Sequence, residues 1–187
     1  LMYGSLANLI SRRVEFSSTT LLKMFIDLLS GLRQFYSGGN YHRDIKPQNI
    51  LYDDTLKRLV LSDLGIAHIE THYPGATVET VASDRLANFQ YAAPEQRVKG
   101  GKCDQRADIY AYGLILNELF TGTAPQGTSY KRIGDIAPEY AYLDKVVERM
   151  IAQNPNDRYA NIDSMLLDVE VLSKAADAEL ASKQSEE

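Results

Sequence analysis

One cysteine, Cys103, stands in the 187 residues, so no internal disulfide can form, and no Cys-x-x-Cys pair is present to hold zinc. It reads as a small packed or half-exposed side chain. Basic residues are not in excess: 20 Lys and Arg against 25 Asp and Glu leave a net charge of −5, which gives no support to a nucleic-acid or anionic-membrane surface. No apolar run approaches the ~20 residues of a membrane span. No basic stretch followed by an apolar one opens the chain as a leader would. These absences predict a soluble, cytoplasmic protein with no membrane segment and no nucleic-acid partner. What remains is ordinary for a globular domain, with 44% hydrophobic and 24% charged residues in a length that suits one core.

Periodicity divides the chain. Residues 5–13 predict a short helix with Leu6, Leu9 and Ile10 on one side. A stronger helix is expected from about Thr19 to Ser37, capped by Ser17, Ser18 or Thr19, with Leu22, Phe25, Leu28, Leu29, Leu32 and Phe35 at helical spacing. Gly38, Gly39 and Asn40 stop it. Asn49–Tyr52 and Leu59–Ser62 are short β-like runs separated by the turn-forming Asp53-Asp54. Residues 68–90 show no period and read as a long loop, of a length that is usually functional or mobile. An apolar helix is predicted from about Asp104 to Thr121, ending at Gly122. Residues 124–138 are irregular, and helices over about 143–152 and 162–172 close the fold. After Lys174 a polar tail either extends the last helix or frays. There is no internal repeat. The fold class is therefore mainly α with a small β-hairpin insertion and one long loop.

The chemistry concentrates in His42-Arg43-Asp44-Ile45-Lys46-Pro47-Gln48-Asn49, between a helix and a β-like run. Phosphoryl transfer needs metal ions on the phosphates, a cation on the moving group and a carboxylate to orient the attacking hydroxyl. Asp44, Lys46 and Asn49 supply a carboxylate, a cation and a neutral oxygen ligand in close succession. Fourteen residues beyond Asn49 comes Asp63-Leu64-Gly65, just past the second β-like run. A hairpin brings the two ends together, so Asn49 and Asp63 can share a Mg²⁺ site of the oxygen-rich kind that hard cations prefer. Each piece alone is common: an isolated Asp-Leu-Gly is usually a turn, and Asp44 beside Arg43 is usually a surface ion pair.

In order, His42-Arg43-Asp44, Lys46-Pro47, Asn49, Asp63-Leu64-Gly65 and Ala93-Pro94-Glu95 resemble the signature of the protein-kinase catalytic lobe. Asp108-Ile-Tyr-Ala-Tyr-Gly113 resembles the Asp-x-x-x-x-Gly of that family's central helix, and Asn154–Arg158 its late Pro-x-x-Arg. The resemblance covers essentially residues 1–172. It implies ATP and Mg²⁺ as cofactors and a protein bearing Ser or Thr as substrate. It further implies that Asp44 accepts or orients the hydroxyl proton and Lys46 steadies the γ-phosphate, a lysine here being the serine/threonine pattern. Asn49 and Asp63 would bind Mg²⁺, Glu95 and Arg158 would pair, and Asp108 would hold the catalytic-loop backbone. His42 and Leu64 would pack in a hydrophobic spine, and Gly65 completes the structural set. Arg43 would receive a phosphate carried by residues 63–95, with Thr71, Thr77, Thr80 and Ser83 as candidates.

The resemblance also marks departures. Seven residues before Glu95, where many family members carry threonine, stands Asn88. No Gly-x-Gly-x-x-Gly occurs, and no strand of the Val-Ala-Ile-Lys kind precedes the catalytic loop. Met2–Leu6 resembles the segment after the inter-lobe hinge. The expected organisation is a C-terminal kinase lobe over 1–173 whose N-terminal lobe is missing, followed by the tail 174–187. ATP would lie between lobes, so these residues alone are expected to transfer phosphate negligibly. A scaffold without catalysis and a small-molecule phosphotransferase are the alternatives. The intact catalytic set argues against the first and Ala93-Pro94-Glu95 against the second. The motifs look more like those of bacterial kinases of the eukaryotic type.

Overall fold

The computed structural model describes residues 2–63, 90–98, 103–127 and 129–184. The chain opens with strand β1 (Met2–Ser5) and helices α1 (Leu6–Ser11), α2 (Ser18–Gly31) and α3 (Arg33–Ser37). Strands β2 (Ile50–Asp53) and β3 (Arg58–Leu61) follow, then helices α4 (Gln105–Thr121), α5 (Tyr142–Met150) and α6 (Ile162–Gln184). The body is helical with a small antiparallel sheet, as its periodicity predicts.

The hairpin is in the expected place, with Ile50 opposite Leu61 and Asp53 opposite Arg58. Asp53 Oδ1 accepts the N–H groups of Thr55 and Leu56 at 3.1 and 3.2 Å, which makes the turn. The sheet has a third strand that the pattern does not announce: β1 pairs with β2 in the order β1-β2-β3. Four residues including Gly4 are too few to display an alternation.

Helix ends follow local chemistry. Ser5 and Asn8 form a reciprocal cap for α1, which ends at Ser11 rather than at residue 13, where Arg13 takes a positive φ of 51°. Ser17 caps α2 through the N–H of Thr20. The apolar period runs on to Phe35, but the helix breaks at Leu32, directly after Gly31, so one expected helix is two. Asp104 caps α4, and Gly122 ends it at φ +74°. The polar tail extends α6 through Gln184.

Helix α4 is the axis of the core. Every residue from Ala107 to Glu118 is buried, a pattern of a helix covered on all sides. Phe25 of α2 meets Tyr112 edge-to-face at 6.2 Å, and Met150 and Ile151 crowd Gly113. A Cβ at Gly113 would stand 2.7 Å from Met150 Cβ and 2.8 Å from Ile151 Cγ2. The glycine of the Asp-x-x-x-x-Gly run is thus a packing residue that lets α4 and α5 approach. Gly113→Ala is expected to cost about 1–3 kcal/mol of stability through overpacking, measurable as a lowered denaturant midpoint at unchanged slope.

Candidate active site

The loop from Asn40 to Lys46 leaves α3 at Gly39, whose φ is +77°, and ends in one 3₁₀ turn, Pro47–Asn49, with proline in its first turn. Its backbone is held from below by Asp108, near the start of α4. Asp108 is 1% exposed, and its two carboxylate oxygens accept the N–H groups of His42 at 2.5 Å and Arg43 at 2.7 Å. Burial pushes the Asp108 carboxyl above its ordinary range, while the hydrogen bonds from His42, Arg43 and the Tyr36 hydroxyl pull it back. Tyr36 also reaches the Tyr112 hydroxyl at 3.3 Å, and burial raises both phenols. His42 is buried, with its ring Nε2 3.1 Å from the Ser62 carbonyl oxygen. The loop is therefore tied both to α4 and to the exit of β3.

On the outer face, Asp44, Lys46 and Asn49 form one cluster. Lys46 Nζ lies 2.9 Å from Asp44 Oδ2. Asn49 Nδ2 donates to the Asp44 backbone carbonyl at 2.8 Å and to Asp44 Oδ2 at 3.0 Å. The Asp44 side chain is 50% exposed and that of Lys46 16%, so the carboxylate is reachable while the ammonium is sheltered. The Asn49 carbonyl accepts the N–H and hydroxyl of Ser62 at 2.8 and 2.9 Å. That double clasp joins the start of β2 to the end of β3 and brings Asp63 beside the cluster.

Two non-glycine residues here have left-handed backbones: Arg43 at φ 66° and Asp63 at φ 61°. Such residues cost about 1–3 kcal/mol each and persist only where their surroundings over-determine them. Asp108 does so for Arg43, and the Ser62 clasp precedes Asp63.

Behind the loop, Glu95 and Arg158 pair in bidentate fashion at 2.7 and 2.9 Å, with the Arg158 side chain fully buried. Arg158 also donates to the carbonyls of Ala152, Gln153 and Arg106. All five of its N–H groups have acceptors. The Arg43 guanidinium lies over the Tyr41 ring, 4.4 Å from its centroid, and donates to the Tyr41 hydroxyl. Arg43 Nε is buried with no hydrogen-bond partner among the described residues.

The sequence-predicted positions Asp44, Lys46, Asn49, Asp63, His42, Arg43 and Asp108 thus come together, and Glu95 meets Arg158. Leu64, Gly65, Thr71, Thr77, Thr80, Ser83 and Asn88 lie outside the described residues. Cys103 is half-buried, and burial raises its thiol. The pattern did not single out Ser62, Tyr41, Tyr36 or Gln96, nor the Tyr91–Glu118 pair. The partners of Tyr36, Ser62, Gln96 and Tyr91 lie 13 or more positions away, whereas Tyr41 meets Arg43 two positions on. Tyr41, Ser62 and Gln96 adjoin motifs without belonging to them.

Tyr91 donates to Glu118 Oε2 at 2.5 Å inside the core. Burial raises the Glu118 carboxyl above its ordinary 4.5, and the tyrosine lowers it again. A carboxyl raised on folding contributes most below its unfolded value and loses that contribution as pH climbs through the folded one. Tyr91→Phe removes the opposing hydrogen bond. It is expected to cost about 1.5–3 kcal/mol at an alkaline pH that ionises Glu118 and leaves its charge unpaired, and less at an acid pH that protonates the carboxyl. Chemical denaturation at the two pH values measures the difference.

The sequence model of the protein kinase domain matches residues 1–169. The chain belongs to the protein kinase domain family. A probable serine/threonine-protein kinase of Corynebacterium efficiens is 32% identical over 179 residues, covering 86% of this chain and 26% of that protein. The serine/threonine-protein kinase PknL of Mycobacterium tuberculosis is 29% identical over 185 residues, 91% of this chain and 45% of PknL. The chain thus spans less than half the length of these kinases. The PknI kinase domain of M. tuberculosis superposes with a TM-score of 0.65 at 24% identity, over 90% of this chain and 62% of that one, a likeness of fold. No helix among the described residues of this kinase-family chain is long and apolar enough to cross a membrane.

Proposed function

We propose that these residues are the C-terminal lobe of a serine/threonine protein kinase, which moves the γ-phosphate of ATP to a Ser or Thr hydroxyl of a protein. The observation that carries the reading is the joined cluster of Asp44, Lys46 and Asn49, clasped through Ser62 to the strand that delivers Asp63. Asp44, half exposed, is the group that orients the hydroxyl and takes its proton. Lys46, paired with Asp44 and sheltered, presents a cation to the transferring phosphate. Asn49 commits its amide N–H to Asp44, which leaves Oδ1 as an oxygen ligand, and Asp63 adds a carboxylate. Such a sparse oxygen set fits Mg²⁺, which takes one or two protein ligands and fills the rest from phosphates and water. Asn49 and Asp63 would hold the ion, which would supply positive charge against the negative charge that develops on the phosphate during transfer.

ATP in this reading is shared with an N-terminal lobe, and the domain boundary falls near residue 173. The working compartment is the cytoplasm, where ATP and Mg²⁺ are held, and the net charge of −5 argues against a nucleic-acid partner. Arg43, with a left-handed backbone and an Nε that has no partner among the described residues, is the receiver for a phosphate on residues 63–95.

The test is Mg²⁺-dependent transfer of labelled γ-phosphate by the full-length natural protein, with the 187 residues run alongside. The full-length protein is expected to transfer and the 187 residues to do so negligibly. Turnover by the latter would overturn the two-lobe reading, and a folded but inactive full-length protein would favour a scaffold.

A further inference from the structure

We propose that Gln96 is a positioning residue for Asp44, acting through the backbone carbonyl of Arg43; this rests on the kinase reading of the same site. Gln96 lies in the 3₁₀ turn Pro94–Arg97, 53 positions from Arg43 along the chain. Its Nε2 donates to the Arg43 carbonyl at 2.7 Å, and its Oε1 accepts the Ala93 N–H at 2.9 Å. With one end of the amide facing an acceptor and the other a donor, only one orientation satisfies both.

The target of that hydrogen bond matters. Arg43 holds a φ of 66°, a conformation that side-chain-bearing residues avoid. Its N–H is fixed by Asp108 Oδ1 at 2.7 Å, so Asp108 and Gln96 grip the two peptide groups on either side of the strained residue. The Arg43 carbonyl belongs to the peptide unit whose nitrogen is that of Asp44. Its orientation therefore sets the direction in which the Asp44 side chain leaves the backbone. Asp108 fixes the loop to the core helix. Gln96 fixes it to the segment carrying Ala93-Pro94-Glu95, which Glu95 in turn anchors to Arg158. That segment and the catalytic carboxylate are thereby held in one frame, and a shift of the segment is passed toward Asp44 through the Gln96 amide.

Gln96→Glu isolates the contact. It keeps an acceptor for the Ala93 N–H and turns a carboxylate oxygen, in place of a donor, toward the Arg43 carbonyl. Gln96→Met, of similar length, removes both hydrogen bonds. In the full-length natural protein both variants are expected to lower kcat roughly tenfold or more, since misplacement of about 1 Å is enough for such losses. The KM for MgATP should stay at the wild-type value, because Asn49 and Asp63 are untouched. Hydrogen exchange through residues 41–46 is expected to accelerate in both variants while exchange in α4 stays as in wild type. Wild-type kcat together with wild-type exchange in a folded variant overturns the inference. If the wild-type protein transfers no phosphate, the kinase reading fails, and exchange through 41–46 alone decides the clamp: faster supports it, unchanged refutes it.

Discussion

Asp44→Asn in the full-length natural protein is expected to lower phosphate transfer by about 10²–10⁴-fold, the range that a positioned general base contributes. The substitution keeps the shape of the side chain and removes its ability to take a proton. The half-exposed carboxylate contacts Lys46 at 2.9 Å and Asn49 at 3.0 Å, so the change also frees Lys46 from its ion pair. Stability should move little, because the carboxylate side of the pair is half exposed and an ion pair open to water contributes at most about 1 kcal/mol. KM for MgATP should hold as well, since the oxygen ligands Asn49 and Asp63 remain. Initial rates with labelled ATP separate the two parameters. A rate within a few-fold of wild type would remove Asp44 from the chemistry.

The second large effect is on stability. Glu95→Ala is expected to cost about 3–5 kcal/mol, because it leaves the Arg158 guanidinium buried without its counter-charge. The Arg158 side chain is 0% exposed, and its remaining acceptors are three backbone carbonyls. At the few degrees per kcal/mol typical of domains this size, thermal unfolding should shift down by roughly 10 °C. Combining Glu95→Ala with Arg158→Met should recover part of the loss, since an apolar replacement of the whole pair leaves no orphaned charge. A single variant melting within a degree or two of wild type would mean that Arg158 finds other compensation.

Much of this site was legible in the sequence because its residues act through local order. Asp44, Lys46 and Asn49 share one loop, and a hairpin with an Asp-Asp turn is enough to return the chain to Asp63. The Glu95–Arg158 pair spans 63 positions and was readable only because both residues sit in recognisable motifs. Gln96 and Tyr36 have no such marker, since their partners are a backbone carbonyl and a buried hydroxyl that the folded core alone brings near, and Ser62 meets the Asn49 carbonyl across the hairpin as a residue of no motif. The same limit governs the fold. Long apolar periods located α2 and α4, and the candidates Ser17, Ser18 and Thr19 bracketed the start of α2, which Ser17 caps. The break after Gly31 and strand β1 were hidden, because a glycine within a continuing apolar period and a four-residue pairing leave no periodic trace. The full burial of α4 is a property of what packs around it.

The claim that this lobe supports phosphate transfer to serine and threonine is tested most directly by incubating the full-length natural protein with Mg²⁺ and γ-labelled ATP. The phosphoamino acids formed on the protein itself and on a generic substrate are then identified. Label is expected on phosphoserine or phosphothreonine, dependent on Mg²⁺ and lost in Asp44→Asn. Label on phosphotyrosine alone, transfer undiminished in Asp44→Asn, or no transfer by a folded wild-type protein would contradict that claim.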